Sequence, residues 1–346
     1  MNIKFKYDLS SQNTFRMKVS CECFVEYDSV KELEGLNFDR LPQPFLHIGE
    51  GSNLLFTRDF PGTVLHSKID YIKYVDMGFD DVPVMVGAGV SFDRFVEQTC
   101  RHGLWGAENL SMIPGEVGAA AVQNIGAYGV EVKDVIHRVY CYDTLEEEFV
   151  SFGVDECEYG YRDSAFKDPE IKGRYIVTHV VFALSREPRP CLEYGHLKSA
   201  VEAVAASDTL TPALIRKVII KTRKEKLPDP SVMGSAGSFF KNPVISAEHF
   251  NKIEQAAKAE SGADYNVPHY DLPDGTVKVP AAWMIERCGW KGRRSGGAAV
   301  YEKQPLVIVN YTGEAYPEEI IGLERRIVAS VKSKFGVELH PEVDHI

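Results

Sequence analysis

The spacing of apolar positions along the chain changes several times, and each change marks an element. Near the C-terminus the spacing is helical. From Pro317 onward, Ile320, Leu323, Ile327 and Val331 fall on one stripe that stops at Gly336, which predicts a helix with one buried face. Ser91 followed by Phe92, Phe95, Val96 and Cys100 predicts another, capped by Ser91 and ended by Gly103. Residues 197–205, 212–224, 247–261 and 281–288 read as further helices, with Thr211 as a cap and Pro212 at the first helical position. Short apolar runs bounded by turn residues predict strands at 45–48, 54–56, 82–86, 175–184 and 306–311, and a hairpin from 135–142 and 148–152. Residues 277–279 look extended, and residues 337–339 read as a final short strand. Strands dominate before residue 195 and helices after it, so the fold class is α+β.

A chain of 346 residues exceeds what one core usually holds, so two or three domains are expected, with a boundary near the Lys- and Pro-rich stretch 211–232. The net charge of −11 argues against a nucleic-acid partner. Any anionic ligand must therefore find basic groups locally. The seven cysteines lack zinc-type spacing and read as free thiols, so no metal is expected. The N-terminus has no apolar signal core, and no run of about 18 apolar residues offers a membrane span. The expected location is the cytoplasm.

The glycines carry the first chemical signal. Gly49-Glu50-Gly51-Ser52-Asn53 interrupts two strands and offers consecutive backbone N–H groups, a nest that suits a pyrophosphate as well as a plain turn. Neither this turn nor Gly87-Ala88-Gly89 supplies the third glycine of a dinucleotide fingerprint, so a Rossmann fold is unsupported. Residues 112–130 are dominated by small side chains. Ile113, Pro114, Gly115 and Gly118 can bring backbone onto a phosphate, and Gln123, Asn124, Ala127 and Tyr128 can line a ring; close packing is the competing reading.

Three further segments hold reactive types. Arg162, between Tyr161 and Asp163, is either a surface ion-pair partner or a carboxylate clamp. Ser238 follows Gly237 but lacks the nucleophile-elbow context, since Phe240 stands where glycine is required; a role as proton donor fits better than attack on a carbonyl. Lys217, Lys221, Arg223, Lys224 and Lys226 concentrate positive charge just upstream of that glycine-rich loop, either as a solvated face or for a diphosphate ligand. Glu342 follows Pro341 after a short apolar stretch that suggests a docked tail, and is either an active-site acid or a solvated glutamate.

Taken in order, Asn13-Thr14-Phe15, Gly49 through Leu55, Ile113-Pro114-Gly115 with Gln123 through Gly129, Tyr161 through Ser164, Ala236 through Pro243 and Pro341-Glu342-Val343 resemble the UDP-N-acetylenolpyruvoylglucosamine reductase family, nearly end to end. The segment Tyr194-Gly195-His196-Leu197 and the length of the 190–235 region resemble its longer, type I form. Ser235 and the pair Asp344-His345 depart from the family pattern.

The resemblance implies an FAD-binding fold of the vanillyl-alcohol-oxidase type, with subdomains at 1–67 (joined by the tail 335–346) and 68–215, and an α+β substrate domain at 216–334. It implies FAD held by Gly49, Glu50, Gly51, Ser52, Asn53, Leu54, Ile113, Pro114, Gly115, Gly118, Asn124, Gly126, Ala127 and Tyr128. UDP-N-acetylglucosamine enolpyruvate would be bound by Tyr161, Tyr194, Lys226 and Asn242, and NADPH would supply the electrons. Arg162, Ser238 and Glu342 would carry the chemistry, with Ser238 giving the proton, in a monomeric enzyme of peptidoglycan precursor synthesis. Two rivals remain: an FAD-dependent sugar or lactone oxidase of the same fold, and a non-catalytic nucleotide-sugar binding protein.

Overall fold

A computed structural model describes residues 1–75, 81–204 and 209–346, so Ala205, at the end of one expected helix, lies outside the described residues. The chain forms two compact units. Unit 1 comprises residues 1–8, 20–51 and 59–225; unit 2 comprises residues 9–19, 52–58 and 226–346. The division at 225/226 falls in a helix, not in an open loop, because residues 212–226 are helical. Elements are numbered in chain order.

Unit 1 contains two principal sheets. The first has the order β1 (Asn2–Asp8), β2 (Ser20–Tyr27), β5 (Phe60–Ser67), β3 (Phe45–Ile48). β2 and β3 both run parallel to β5, while β1 runs antiparallel to β2. The second is wholly antiparallel, with the order β11 (Glu148–Gly153), β10 (Ile136–Asp143), β12 (Tyr175–Ser185), β7 (Asp81–Gly87), β6 (Ile72–Tyr74). β12 is covered on both faces, which is why its sequence is nearly continuously apolar, whereas β7 alternates buried and half-buried positions.

Helix α1 is short (Val30–Glu34). Helix α2 (Phe92–Arg101) buries Phe92, Phe95, Val96, Thr99 and Cys100, and Phe95 stacks on Phe182 of β12 at 4.3 Å between ring centroids. Ser91 occupies the N-cap position but its side chain makes no capping bond, contrary to expectation. The first turn is met from the backbone instead, Phe92 donating to the Gly115 carbonyl. Helix α3 (Val117–Gln123) lies tightly against unit 1: a Cβ added at Gly118 would sit 2.9 Å from Ala88 Cβ. Helices α4 (Leu197–Val204) and α5 (Pro212–Lys226) complete this part of the chain, burying Leu197, Val201, Ile215, Val218 and Ile219 with Trp105.

Unit 2 holds the antiparallel sheet β13 (Gly234–Ser238), β19 (Val307–Asn310), β18 (Ala298–Val300), β17 (Arg294–Ser295), and the smaller sheet β14 (Val244–Ser246), β16 (Thr276–Lys278), β15 (Tyr270–Asp271). Helices α6 (Ala247–Ser261) and α7 (Ala281–Arg287) precede the long α8 (Pro317–Phe335), which buries the stripe Ile320, Leu323, Ile327 and Val331. Each such burial contributes about 1.5–3 kcal/mol. Gly336 ends α8 with φ +68°, as its position predicted.

The expected strand at 337–339 does not form. The tail instead forms β20 (Asp344–His345), which pairs in parallel with β4 (Leu54–Leu55). The reason is non-local: the partner edge lies about 290 positions earlier and is invisible to local periodicity.

Candidate active site

In unit 1, two glycine turns are tied together. The Glu50 carboxylate accepts the Gly115 N–H at 3.0 Å. Gly115 is buried at φ +117°, a conformation that a side chain would strain. The neighbouring Met112 N–H is held by Asp93, which also takes a two-pronged ion pair from Arg216 of α5. Beside Gly49 stands Glu116, bonded to the buried His66 at 3.0 Å; burial pushes the Glu116 carboxyl above its ordinary value. Sequence reading passed over this pair, because two lone titratable residues 50 positions apart carry no signal. Gly118 packs on Ala88, so its missing side chain serves the contact of α3 with the rest of the unit.

Further along, Asn124 ends α3 in the left-handed conformation, fully buried. Its amide donates to the Gly160 carbonyl at 2.7 Å and to Glu131 at 3.1 Å. Arg162, itself at φ +56°, donates to the carbonyls of Asn124 (3.2 Å) and Gly126 (2.7 Å), with the Glu131 carboxylate 4.0 Å away. Its guanidinium lies 5.4 Å from the Tyr161 ring centroid. A guanidinium held by two carbonyls on a strained backbone is preorganised. Gly126–Ala127 and Val130–Glu131 form the two-stranded hairpin of β8 and β9, which lifts Tyr128. The Tyr128 carbonyl accepts from Asn109 at 2.9 Å, and its ring meets Tyr194 edge-on at 6.0 Å. Tyr194 is 44% exposed, open to a ligand.

In unit 2, the tail crosses back beside β13. Lys241 N–H donates to the His340 carbonyl, and Glu342 N–H donates to the Phe239 carbonyl at 2.8 Å. Glu342 is thereby fixed next to the residue that follows Ser238. Asn53 donates its amide to the Glu342 carbonyl at 3.1 Å, and Asp344 N–H returns a bond to Asn53. Leu54 pairs with Asp344. Ser52 precedes this junction and is half-buried. The β13 register slips between Ser235 and Ser238, with Gly237 at φ +71°: a bulge beyond which Ser238 pairs with Val307. Asn242 accepts the Ala281 N–H at the start of α7 at 3.0 Å. Lys226 is exposed at the end of α5.

Residues 229–346 match the family described as the C-terminal domain of UDP-N-acetylenolpyruvoylglucosamine reductase, and residues 38–148 match the FAD binding domain family. The UDP-N-acetylenolpyruvoylglucosamine reductase of Bacteroides fragilis is 50% identical over 343 residues, spanning 99% of both chains. The chain belongs to the UDP-N-acetylenolpyruvoylglucosamine reductase family. The Porphyromonas gingivalis reductase is 42% identical over the whole of both chains. The crystal structure of the Thermus caldophilus reductase superposes with a TM-score of 0.66 at 23% identity, covering 99% of this chain and 98% of the other, so the fold is shared at low sequence identity.

As a member of the reductase family the chain is an oxidoreductase with the α+β, FAD-binding fold, and the family's cofactors are FAD and NADPH. Peptidoglycan precursor synthesis is the process that the family serves. The residues present fit a flavin dinucleotide. Two cross-tied glycine turns hold Gly51 and Gly115 buried at positive φ, where a side chain would be strained. Arg223, whose charge acts on Tyr128, has a buried Nε with no hydrogen-bond partner among the described residues. An anionic or carbonyl group alongside would satisfy it. The sequence singled out Arg223 only as one of a basic run. Among the described residues no cluster of metal-ligating side chains occurs, and no helix is long and apolar enough to cross a membrane.

Proposed function

We propose that the chain catalyses the NADPH-dependent, FAD-mediated reduction of UDP-N-acetylglucosamine enolpyruvate to UDP-N-acetylmuramate. The observation that carries this reading is the main-chain bond from Glu342 to Phe239, which sets a carboxylate-bearing residue beside the bulge that re-aims Ser238. Bound FAD, reduced by NADPH, would supply hydride to the terminal vinyl carbon of the substrate. The rest falls to the protein. An electron pair left on the adjacent substrate carbon spreads into the substrate carboxylate as an enolate. Arg162 offers that charge a fixed guanidinium, and Glu342 completes the polar surroundings. Ser238 gives its hydroxyl proton to the carbon, closing the D-lactyl ether, and recovers a proton from solvent. A serine hydroxyl is a weak acid in water, but an enolate is a strong base and positioning favours the transfer.

On this reading Gly49, Glu50, Gly51, Ser52, Asn53, Leu54, Ile113, Pro114, Gly115, Gly118, Asn124, Gly126, Ala127 and Tyr128 hold the flavin nucleotide. Tyr194 closes over the uridine with Tyr161 nearby, and Lys226 and Asn242 meet the diphosphate. The two sheets of unit 1 correspond to flavin-binding subdomains at 1–67 and 68–215, and residues 216–334 bind the UDP-sugar. The tail 335–346, expected with the first subdomain, lies in unit 2 together with residues 52–58. The enzyme works as a monomer in the cytoplasm.

An anaerobic absorbance experiment tests the reading. NADPH should bleach the flavin band, and the enolpyruvyl sugar alone should restore it. Recovery on oxygen, with no response to the sugar, would favour the oxidase; no bleaching would favour the binding protein. Two variants probe the scaffold. Glu50→Ala removes a charge-assisted bond worth about 1.5–3 kcal/mol and is expected to weaken FAD binding roughly tenfold, read by flavin fluorescence on titration. Unchanged affinity would show that the tie between the turns is irrelevant to the cofactor. Gly237→Ala forces a side chain into the left-handed region at about 1–2 kcal/mol. It should slow reoxidation of reduced enzyme by substrate while leaving bleaching by NADPH untouched; equal loss in both steps would rule out the bulge as an aiming device.

A further inference from the structure

The tail that carries Glu342 is held to unit 2 by more than main chain. The β20–β4 ladder is only two residues long, and a ladder of that size is marginal in water. Three bonds supplement it at its far end: Ile346 N–H donates to the Leu55 carbonyl, and both the N–H and the hydroxyl of Thr57 donate to the Ile346 carbonyl. Between these ties and Glu342 stands His345. Its Nε2 is 2.9 Å from Oε2 of Glu324 on α8, and its ring meets Phe239, the residue after Ser238, edge-on at 6.0 Å. Its side chain keeps 29% of its surface exposed and that of Glu324 keeps 13%, so the pair is partly withdrawn from water. His345 thus joins α8, the Ser238 segment and the tail, and it occupies a position at which the sequence departs from the family pattern.

We propose that His345 and Glu324 form a clasp that positions Glu342 relative to the Ser238 segment, so that His345 is a positioning residue for the substrate-reduction step. The inference rests on the proposed role of Glu342. Without the clasp the terminal ladder frays and the Glu342 backbone loosens from Phe239.

The clasp has a pH sense. The Glu324 carboxylate holds the His345 imidazole above its ordinary value, against the opposing effect of burial. Of the elements around it, α8 contributes Glu324 and the tail itself contributes Asp344; β4 and Phe239 contribute no charge. A raised histidine pKa means that the ion pair is complete below about 6.5 and is lost as pH rises through the higher folded value. A neutral hydrogen bond can remain above it, so the effect is graded.

The test separates the two half-reactions between pH 6 and 9 in the holoenzyme. In the parent protein, reoxidation by the enolpyruvyl sugar should slow by roughly three- to tenfold across the His345 titration, while reduction by NADPH does not follow it. His345→Gln and Glu324→Gln should already be slow at pH 6 and lose this part of the pH dependence. His345→Arg, which stays charged, should retain the fast rate at high pH. As a readout independent of turnover, amide exchange at Glu342 and Asp344 in His345→Gln should exceed that of the parent at the same pH. If His345→Gln matches the parent in rate and exchange at every pH, the clasp does not position Glu342. If it slows both half-reactions alike and lowers Tm, the residue is only structural and the proposal falls. Glu342→Gln keeps the two readings apart: an unimpaired Glu342→Gln would sink the role of Glu342 itself, whereas an impaired Glu342→Gln beside a normal His345→Gln would sink only the clasp.

Discussion

Ser238→Ala should leave the bleaching of bound flavin by NADPH intact while slowing reoxidation by the enolpyruvyl sugar by about 10²–10⁴, the usual worth of a positioned general acid. The argument begins in the local backbone. Gly237 takes a left-handed turn inside β13, the register with β19 slips, and Ser238, half-buried, pairs with Val307 just beyond the slip. The next residue, Phe239, is fully buried and accepts the Glu342 N–H, so the hydroxyl is mounted on a segment fixed from both sides. Removing one oxygen from such a mount leaves the fold unchanged and removes the proton. Single-turnover traces, with NADPH added first and the enolpyruvyl sugar second, read the two steps separately. Equal loss in both steps would exclude Ser238 as the donor, because a proton donor to the substrate has no part in reducing the flavin.

Arg162→Lys has the second largest expected effect, a loss of roughly 10²–10³ in the substrate-reduction step, comparable to deleting a preorganised electrostatic donor. The charge survives this change, so the prediction concerns geometry. The guanidinium spans the carbonyls of Asn124 and Gly126 at 3.2 and 2.7 Å, and a lysine ammonium cannot bridge both in one plane while facing a substrate carboxylate. Two carbonyls also lose their donor, which loosens the β8–β9 hairpin carrying Tyr128. The effect should appear mainly in the maximal rate of reoxidation, with a smaller change in the substrate concentration required. A lysine variant with parental rate would show that charge alone suffices and that the fork is irrelevant.

Much of the secondary structure was legible in the chain. α8 follows from one apolar stripe with a proline start and a glycine stop, and α2 from the same period. β12 shows the continuous apolar run of a strand covered on both faces. These elements bury a face whatever their neighbours are, so local spacing records them. The same rule misled at residues 337–339, where Val337 and Leu339 are buried around an exposed Glu338 without joining a strand. At Ser91 a good capping residue makes no side-chain bond, while the Gly115 carbonyl of a remote glycine turn accepts the Phe92 N–H at the helix start.

The candidate site divides in the same way. Residue types were determined by the sequence: a serine after glycine, an arginine among aromatics, a proline-linked glutamate and paired glycine turns. These are chemical identities, and folding does not alter them. What each one touches was decided only by tertiary structure. Glu50 binds Gly115 across 65 positions, Arg162 locks onto carbonyls 36 and 38 positions earlier, and Asn53 meets Glu342 across 289. The pair Glu116–His66 and the clasp Glu324–His345 had no local sign at all. Periodicity reports whether a position is buried, and motif chemistry reports what a residue can do. The partner of a residue depends on which remote segments close together, and that is settled by the packing of the whole unit.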